Sequence, residues 1–382
     1  MSNKRKWSEV VTIISGRNQK AVVDEHGEYP IYGSGGMMGY ASDYLCEAGT
    51  TIVGRKGTIN KPIFVNWRFW NVDTAFGITP GEQLNPKYLY YFCQYFNFTT
   101  LDKSTTIPSL AKRDLLTIEM PVPSLDEQQC IVARIEELFS QLDDAEATLQ
   151  KTKAQLALYR QAVLKEAFDG RLTNAAFHVE VRLGDYIETP RYGTSKKCDY
   201  EKDADRTAVY RIPNIDYETG RICNDDIKYA LFTEKEIEGI RLQQGDILII
   251  RSNGSVSLVG RAAMVYEEDT SGTFAGYLMR LRIKNQEELI PKYLLLYLQS
   301  HQARVYIENK AKSTSGVHNI NSTEISDLQI PAYNRNEQLS IIEAIESRLS
   351  VCDSIDQTVD TVFQQTEAIR QSILKHAFEG RL

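Results

Sequence analysis

The sequence has no apolar run long enough to span a membrane, and its start, MSNKRKWSEV, lacks the apolar core of a signal peptide. Six cysteines (46, 93, 130, 198, 223 and 352) show no CxxC spacing, so reduced thiols in a cytoplasmic protein are expected. Five scattered histidines offer no metal-ligand cluster. There is no GxxxxGK[ST] phosphate loop. The glycine-rich stretch YGSGGMMGY (32–40) misses a dinucleotide fingerprint because Met38 stands where the third glycine belongs, and it reads as a flexible surface loop. The acidic groups Asp24-Glu25, Asp225-Asp226 and Glu267-Glu268-Asp269 read as solvated turns. An excess of basic charge is missing too, since the net charge is −7. By segment, residues 1–120 carry 13 basic and 11 acidic residues and 173–330 carry 20 and 23, so both regions are near neutral. A nucleic-acid surface on such a chain has to be local.

What is present is a duplication. In residues 127–172, Ile131, Ile135, Leu138, Leu142, Ala145, Leu149, Thr152, Leu156, Tyr159 and Val163 follow the 4, 3, 4, 3 spacing of a coiled-coil seam. Residues 337–382 repeat the stretch at a constant offset (337 − 127 = 382 − 172 = 210). There Ile341, Ile345, Cys352, Ile355, Val359, Val362, Ile369 and Ile373 take the seam positions, and Arg348 and Thr366 interrupt them. Each half is therefore a globular domain followed by a long helix.

The globular parts repeat with more divergence. Residues 1–120 hold short strand-like runs (VVTIIS, TTIVG, KPIFV, TAFGI) and a helix starting after Asn85-Pro86. The block GTTIVGR (49–55) answers to GDILIIR (245–251), and PKYLYY (86–91) to PKYLLL (291–296). Asn85-Pro86-Lys87-Tyr88 superficially resembles the NPPY motif of adenine methyltransferases. It lacks the second proline, however, and its counterpart Ile290-Pro291-Lys292-Tyr293 lacks the asparagine, which suits a helix start better. A helix of this length runs on the order of 60 Å, and about ten residues then lead into the second domain. The expected fold is α+β, with two mixed α/β domains (1–123 and 173–333) and two helical regions (124–172 and 334–382). The helices are expected to form an antiparallel coiled coil with a pseudo-two-fold internal repeat.

The EQ-xx-I heads of the helices, their AF[DE]GRL tails, and the blocks GDILIIRSNGSVSLVGRAA and RYGTSKK resemble the specificity subunits of type I restriction–modification systems. The resemblance covers essentially the whole chain. It implies two target-recognition domains, each reading one half of a split double-stranded DNA target, and helices that set the spacing and dock two modification subunits. Restriction subunits would complete the complex. S-adenosylmethionine, ATP and magnesium would belong to these partners, leaving this chain non-catalytic and without a cofactor or metal of its own.

Base reading needs side chains that reach groove edges, and phosphate contacts need cations and hydroxyls. In the first domain the candidates are Arg55, Lys56, Thr58, Lys61, Lys103, Ser104, Thr105 and Thr106. In the second they are Tyr192, Thr194, Ser195, Lys196, Lys197, Arg251, Ser252, Asn253, Ser255, Lys310, Lys312, Ser313 and Thr314, with Ser315 following. Phe139, Phe168, Phe363 and Phe378 lie off the strict seam and are the expected subunit-docking surface. A structural adaptor that binds proteins through its two similar domains is the alternative.

Overall fold

The computed structural model describes residues 4–173, 179–314 and 316–382. It divides into two units, Met1–Lys151 with Thr358–Leu382, and Thr152–Gln357.

In the first unit the strand Thr50–Gly54 is buried along its whole length, as its β-branched residues favour. It lies inside an antiparallel sheet ordered Val11–Ser15, Ala75–Pro80, Thr50–Gly54, Ile63–Val65. A second sheet places Tyr29–Gly33 between Gly36–Ala41, antiparallel, and Trp70–Asn71, parallel. Lys4–Lys6 pairs with Glu119–Pro121. The glycine-rich stretch at 32–40 is thus a hairpin, not a flexible loop. Gly36, at φ +125°, closes the turn, a conformation that side chains disfavour, and the same glycines masked the strand signal.

The second unit repeats this order. Its larger sheet runs Arg191–Tyr192, Leu278–Leu281, Ile247–Ile250, Ala262–Met264. Its smaller sheet sets Arg206–Tyr210 between Lys228–Leu231, antiparallel, and Thr273–Phe274, parallel. Val179–Arg182 pairs with Gln329–Ala332. This unit adds a short ladder (Ile215–Asp216 with Arg221–Ile222) and a sheet of Ser252–Asn253, Val317–Asn319 and Lys312–Thr314.

Asn85 caps the helix Pro86–Tyr95 by accepting from the Lys87 and Tyr88 N–H groups, the helix-start role its motif suggested. The long helices Leu125–Phe168 and Arg335–Phe378 begin alike. Ser124 and Glu127, and likewise Asn334 and Glu337, exchange side-chain and backbone hydrogen bonds as capping boxes. The next residue of each motif is a buried glutamine. Gln128 Oε1 accepts from Asn85 N at 2.8 Å, while its amide donates to the carbonyls of Gln83 and Pro123. Gln338 accepts from Ile290 N at 2.9 Å and donates to Glu288 and Tyr333. The EQ pair therefore starts the helix and ties it to its own domain. Gly170 (φ +74°) and Gly380 (φ +72°) end the helices in the left-handed conformation, which accounts for the glycine of the AF[DE]GRL tails.

The helix ends belong to the domain cores. Val132 and Ile135, with Leu374, Ala377 and Phe378, pack into the core of the first unit around Trp7, Tyr88 and Phe92. Val163, Leu164, Ala167 and Phe168, with Ile341, Ile342 and Ile345, pack into that of the second around Tyr293 and Leu294. This qualifies the seam and corrects the expected docking surface. The seam is not buried throughout: Ala145, Tyr159, Ile355 and Ile369 are exposed, while off-seam residues are covered because each helix end also turns a face onto its domain. Phe168 and Phe378 are core residues, not an outward docking surface. Phe168 packs edge-on against Tyr293 and Tyr297 at 5.3 and 5.1 Å. Phe378 meets Tyr88, Phe92 and Tyr95 at 5.1–5.4 Å. Phe139 is half-buried between Tyr91 and the Arg370 guanidinium, and Phe363 is half-buried.

Between the helices, Arg160 forms ion pairs with Asp353 and Asp356 in the second unit, at 2.7 Å each. In the first unit Arg370 pairs with Asp143 and Glu146. Among the described residues no helix is long and apolar enough to cross a membrane.

Candidate nucleic-acid interface

The buried strands Thr50–Gly54 and Ile247–Ile250 each deliver an arginine to the surface at the same point of the fold. In the first unit Arg55 N donates to Thr74 O at 2.8 Å, and Leu110 N donates to Arg55 O at 2.9 Å. Gly57, at φ +78°, donates to Pro108 O. These bonds join the loop 55–58 to the loop 103–109, so two clusters nearly fifty residues apart in sequence become one surface. Lys56, Thr58, Lys103, Ser104, Thr105 and Thr106 are exposed on it, and Arg55 is half-buried. Lys103 is paired with Asp114 at 3.0 Å, and Ser104 donates to Asp102 at 2.6 Å. That hydroxyl bond, with the Ser104 and Ser109 N–H groups, holds the Asp102 carboxyl below its usual range. Lys61 stands apart, lining an open cleft with Tyr90, Gln94 and Arg370.

The second unit uses the same lock: Arg251 N donates to Tyr277 O, and Ile320 N to Arg251 O, both at 2.9 Å. The Arg251 guanidinium lies 4.2 Å from the Tyr192 ring centre and donates to Gly276 O at 3.2 Å. The Tyr192 hydroxyl accepts from Ser322 N. Asn253 and Ser252 sit on the strand beside Val317–Asn319, which in turn pairs with Lys312–Thr314. Tertiary structure thus gathers Tyr192, Arg251, Asn253 and the Lys312–Thr314 strand. The side chains of Lys312, Ser313 and Thr314 lie outside the description, as does Ser315 altogether. Ser255 and Lys310 are exposed, with Lys310 over the Tyr306 ring.

Two expected contacts are altered by their surroundings. Ser252 is buried (7% exposed) on a strand that pairs edge to edge with the added hairpin. Lys196 is engaged within the protein: its Nζ lies 2.9 Å from both Glu236 oxygens and over the Phe232 ring. The Thr233 N–H, then Lys196 and the Thr233 hydroxyl, hold the Glu236 carboxyl down at about 2. Thr194 Oγ1 accepts from Lys196 N, while Ser195 and Lys197 are exposed. Lys56, Lys61 and Lys197 form no ion pair among the described residues.

Some residues of this surface escaped the sequence reading. Tyr277 is 64% exposed on the turn that holds Arg251, and Thr74 is its counterpart in the first unit. Met37, Met38 and Tyr40 are exposed on the Gly36–Ala41 strand, and Met38 Sδ lies close to Gly33. The glycine spacing of 32–40 was the available signal for the hairpin. Nothing local singles out Tyr277.

A family model described as the type I restriction modification DNA specificity domain matches residues 2–155 and 178–359. The chain belongs to this family. Among curated members, it is 27% identical over 317 residues to the StySPI specificity subunit of Salmonella potsdam, covering 80% of this chain and 67% of that one. It is 26% identical over 298 residues to the EcoKI specificity subunit of Escherichia coli K12, covering 74% of this chain and 62% of that one. It thus spans about two thirds of the length of these relatives. The fold agrees with that of a solved chain from a study of type I restriction–modification assembly and conformational transition. The TM-score is 0.74 at 17% identity, over 100% of this chain and 98% of that one.

Proposed function

We propose that this chain is the DNA specificity subunit of a type I restriction–modification assembly, each globular domain reading one half of a split double-stranded target. The observation that carries this reading is the doubling. The family model matches twice, and each match holds the same strand order with an arginine and polar loops at the same place. The chain recognises and its partners catalyse: two modification subunits dock on the helical regions, and restriction subunits join the full complex. S-adenosylmethionine, ATP and magnesium belong to those partners. The target adenine leaves the duplex for a partner's active site.

In this reading the recognition domains are 1–123 and 173–333, and the helical regions 124–172 and 334–382 pair as an antiparallel coiled coil with a pseudo-two-fold axis. The ion pairs support that arrangement. Arg160 and Arg370 are 210 residues apart, and so are Asp143 and Asp353, and Glu146 and Asp356, so each contact recurs with the helices exchanged. A frame of this kind fixes the distance between half-targets.

The test is co-expression with modification subunits, followed by genome-wide mapping of N6-methyladenine. A split motif that appears only with this chain is the expected result. Stable assembly without any motif sinks the proposal, and failure to assemble, with no salt-dependent binding to a preferred DNA sequence, favours a structural adaptor.

A further inference from the structure

Two domains that read different half-targets must differ where they touch bases, and have reason to agree where they grip the DNA backbone. The candidate surface separates along that line. Arg55 and Arg251 leave equivalent buried strands, and each is fixed by the same pair of backbone hydrogen bonds. Their surroundings are unlike. Ser15 and Tyr192 occupy one equivalent position, because each pairs with the same point of the neighbouring strand, Phe76 or Met279. Thr74 and Tyr277 occupy another. The loop 103–109 of the first unit is replaced by a strand hairpin in the second.

Neither arginine has a carboxylate partner among the described residues, whereas Lys103 and Lys196 both do. Each guanidinium instead has one backbone acceptor, Asp73 O at 3.5 Å or Gly276 O at 3.2 Å, and one aromatic ring, Phe76 at 5.8 Å or Tyr192 at 4.2 Å. Arg251 Nε is buried with no hydrogen-bond partner among the described residues. Ring and carbonyl orient a planar cation and leave further N–H donors for an oxyanion, which a guanidinium binds in a two-pronged manner.

We propose that Arg55 and Arg251 are equivalent phosphate contacts, one per half-target, supplying a sequence-independent grip while the unlike residues around them read bases. This rests on the DNA-recognition reading above.

The experiment uses the full chain assembled with its modification subunits. Affinity is measured for a duplex bearing the mapped target and for a scrambled duplex, across 50–200 mM salt. Arg55→Gln and Arg251→Gln should each weaken both duplexes by the same factor, about tenfold, for loss of one charge-assisted contact. Each should lower the salt slope by about 0.9, and the double variant by about twice that. The methylation motif should stay intact in both halves. Arg251→Lys keeps the charge and should keep most of the slope. Because Arg251 also stacks on Tyr192, this variant separates lost charge from local unfolding: a loss as large as that of Arg251→Gln overturns the proposal. So does a loss confined to the target duplex, with information vanishing from one half-motif, and so do unchanged slopes and affinities. An unsubstituted complex with no split target removes the function reading itself.

Discussion

Replacing Gln338 with leucine keeps the volume of a buried side chain but strands the Ile290 N–H and the Glu288 and Tyr333 carbonyls. At about 1 kcal/mol for each of these neutral hydrogen bonds, plus about 1–3 kcal/mol for a buried donor left unpaired, the loss should be about 4–6 kcal/mol. Against a typical stability of about 5–15 kcal/mol, that is a large fraction. With a urea dependence of up to about 3 kcal/mol per molar, the midpoint should fall by about 1 M or more. The assay is equilibrium urea unfolding, in which only the transition of the second unit should move. Gln128→Leu should do the same to the first. A more exacting variant is Gln338→Glu, which keeps the shape and the acceptor but turns a carboxylate towards two carbonyls. The folded state then favours the protonated acid, raising its pKa above the roughly 4.3 of an unfolded glutamate. Such a group destabilises least below that value and progressively more as pH rises through the folded pKa. The deficit relative to the parent should therefore be larger at pH 8 than at pH 4. Midpoints unmoved by either Gln→Leu substitution would refute the idea that these glutamines fasten the helices to the domains.

Phe168→Ala and Phe378→Ala should each cost about 3–5 kcal/mol as large-to-small core substitutions, whereas half-buried Phe363→Ala should cost less; thermal or urea unfolding of the three variants checks the order. In the native chain, a thiol reagent at pH 8 should label exposed Cys130 rapidly and leave Cys46 and Cys93 unmodified until the chain unfolds. Burial pushes the Cys46 thiol up to about 12 and the Cys93 thiol up as well, which suppresses the reactive thiolate. Equal labelling rates for all three would contradict their placement.

The long helices, their starts and their ends were determined by the sequence alone, because capping boxes, left-handed glycines and heptad spacing act over a few residues of chain. The duplication was legible for a similar reason, since an unbroken offset of 210 residues survives any uncertainty about folding. The Asn85 cap could likewise be read locally. Which face of each helix is buried could not, because Val132, Leu164 and Phe168 are covered by domains assembled from distant strands. Composition also concealed the hairpin at 32–40, where glycine reads as loop until a partner strand supplies the hydrogen bonds. At the candidate site, the sequence indicated most of the cations, but only the tertiary structure decided which of them are free. Lys103 and Lys196 meet carboxylates 11 and 40 residues away, while Arg55 and Arg251 meet carbonyls and aromatic rings. Charge pairing depends on distance in space, and over such separations the chain order does not specify it.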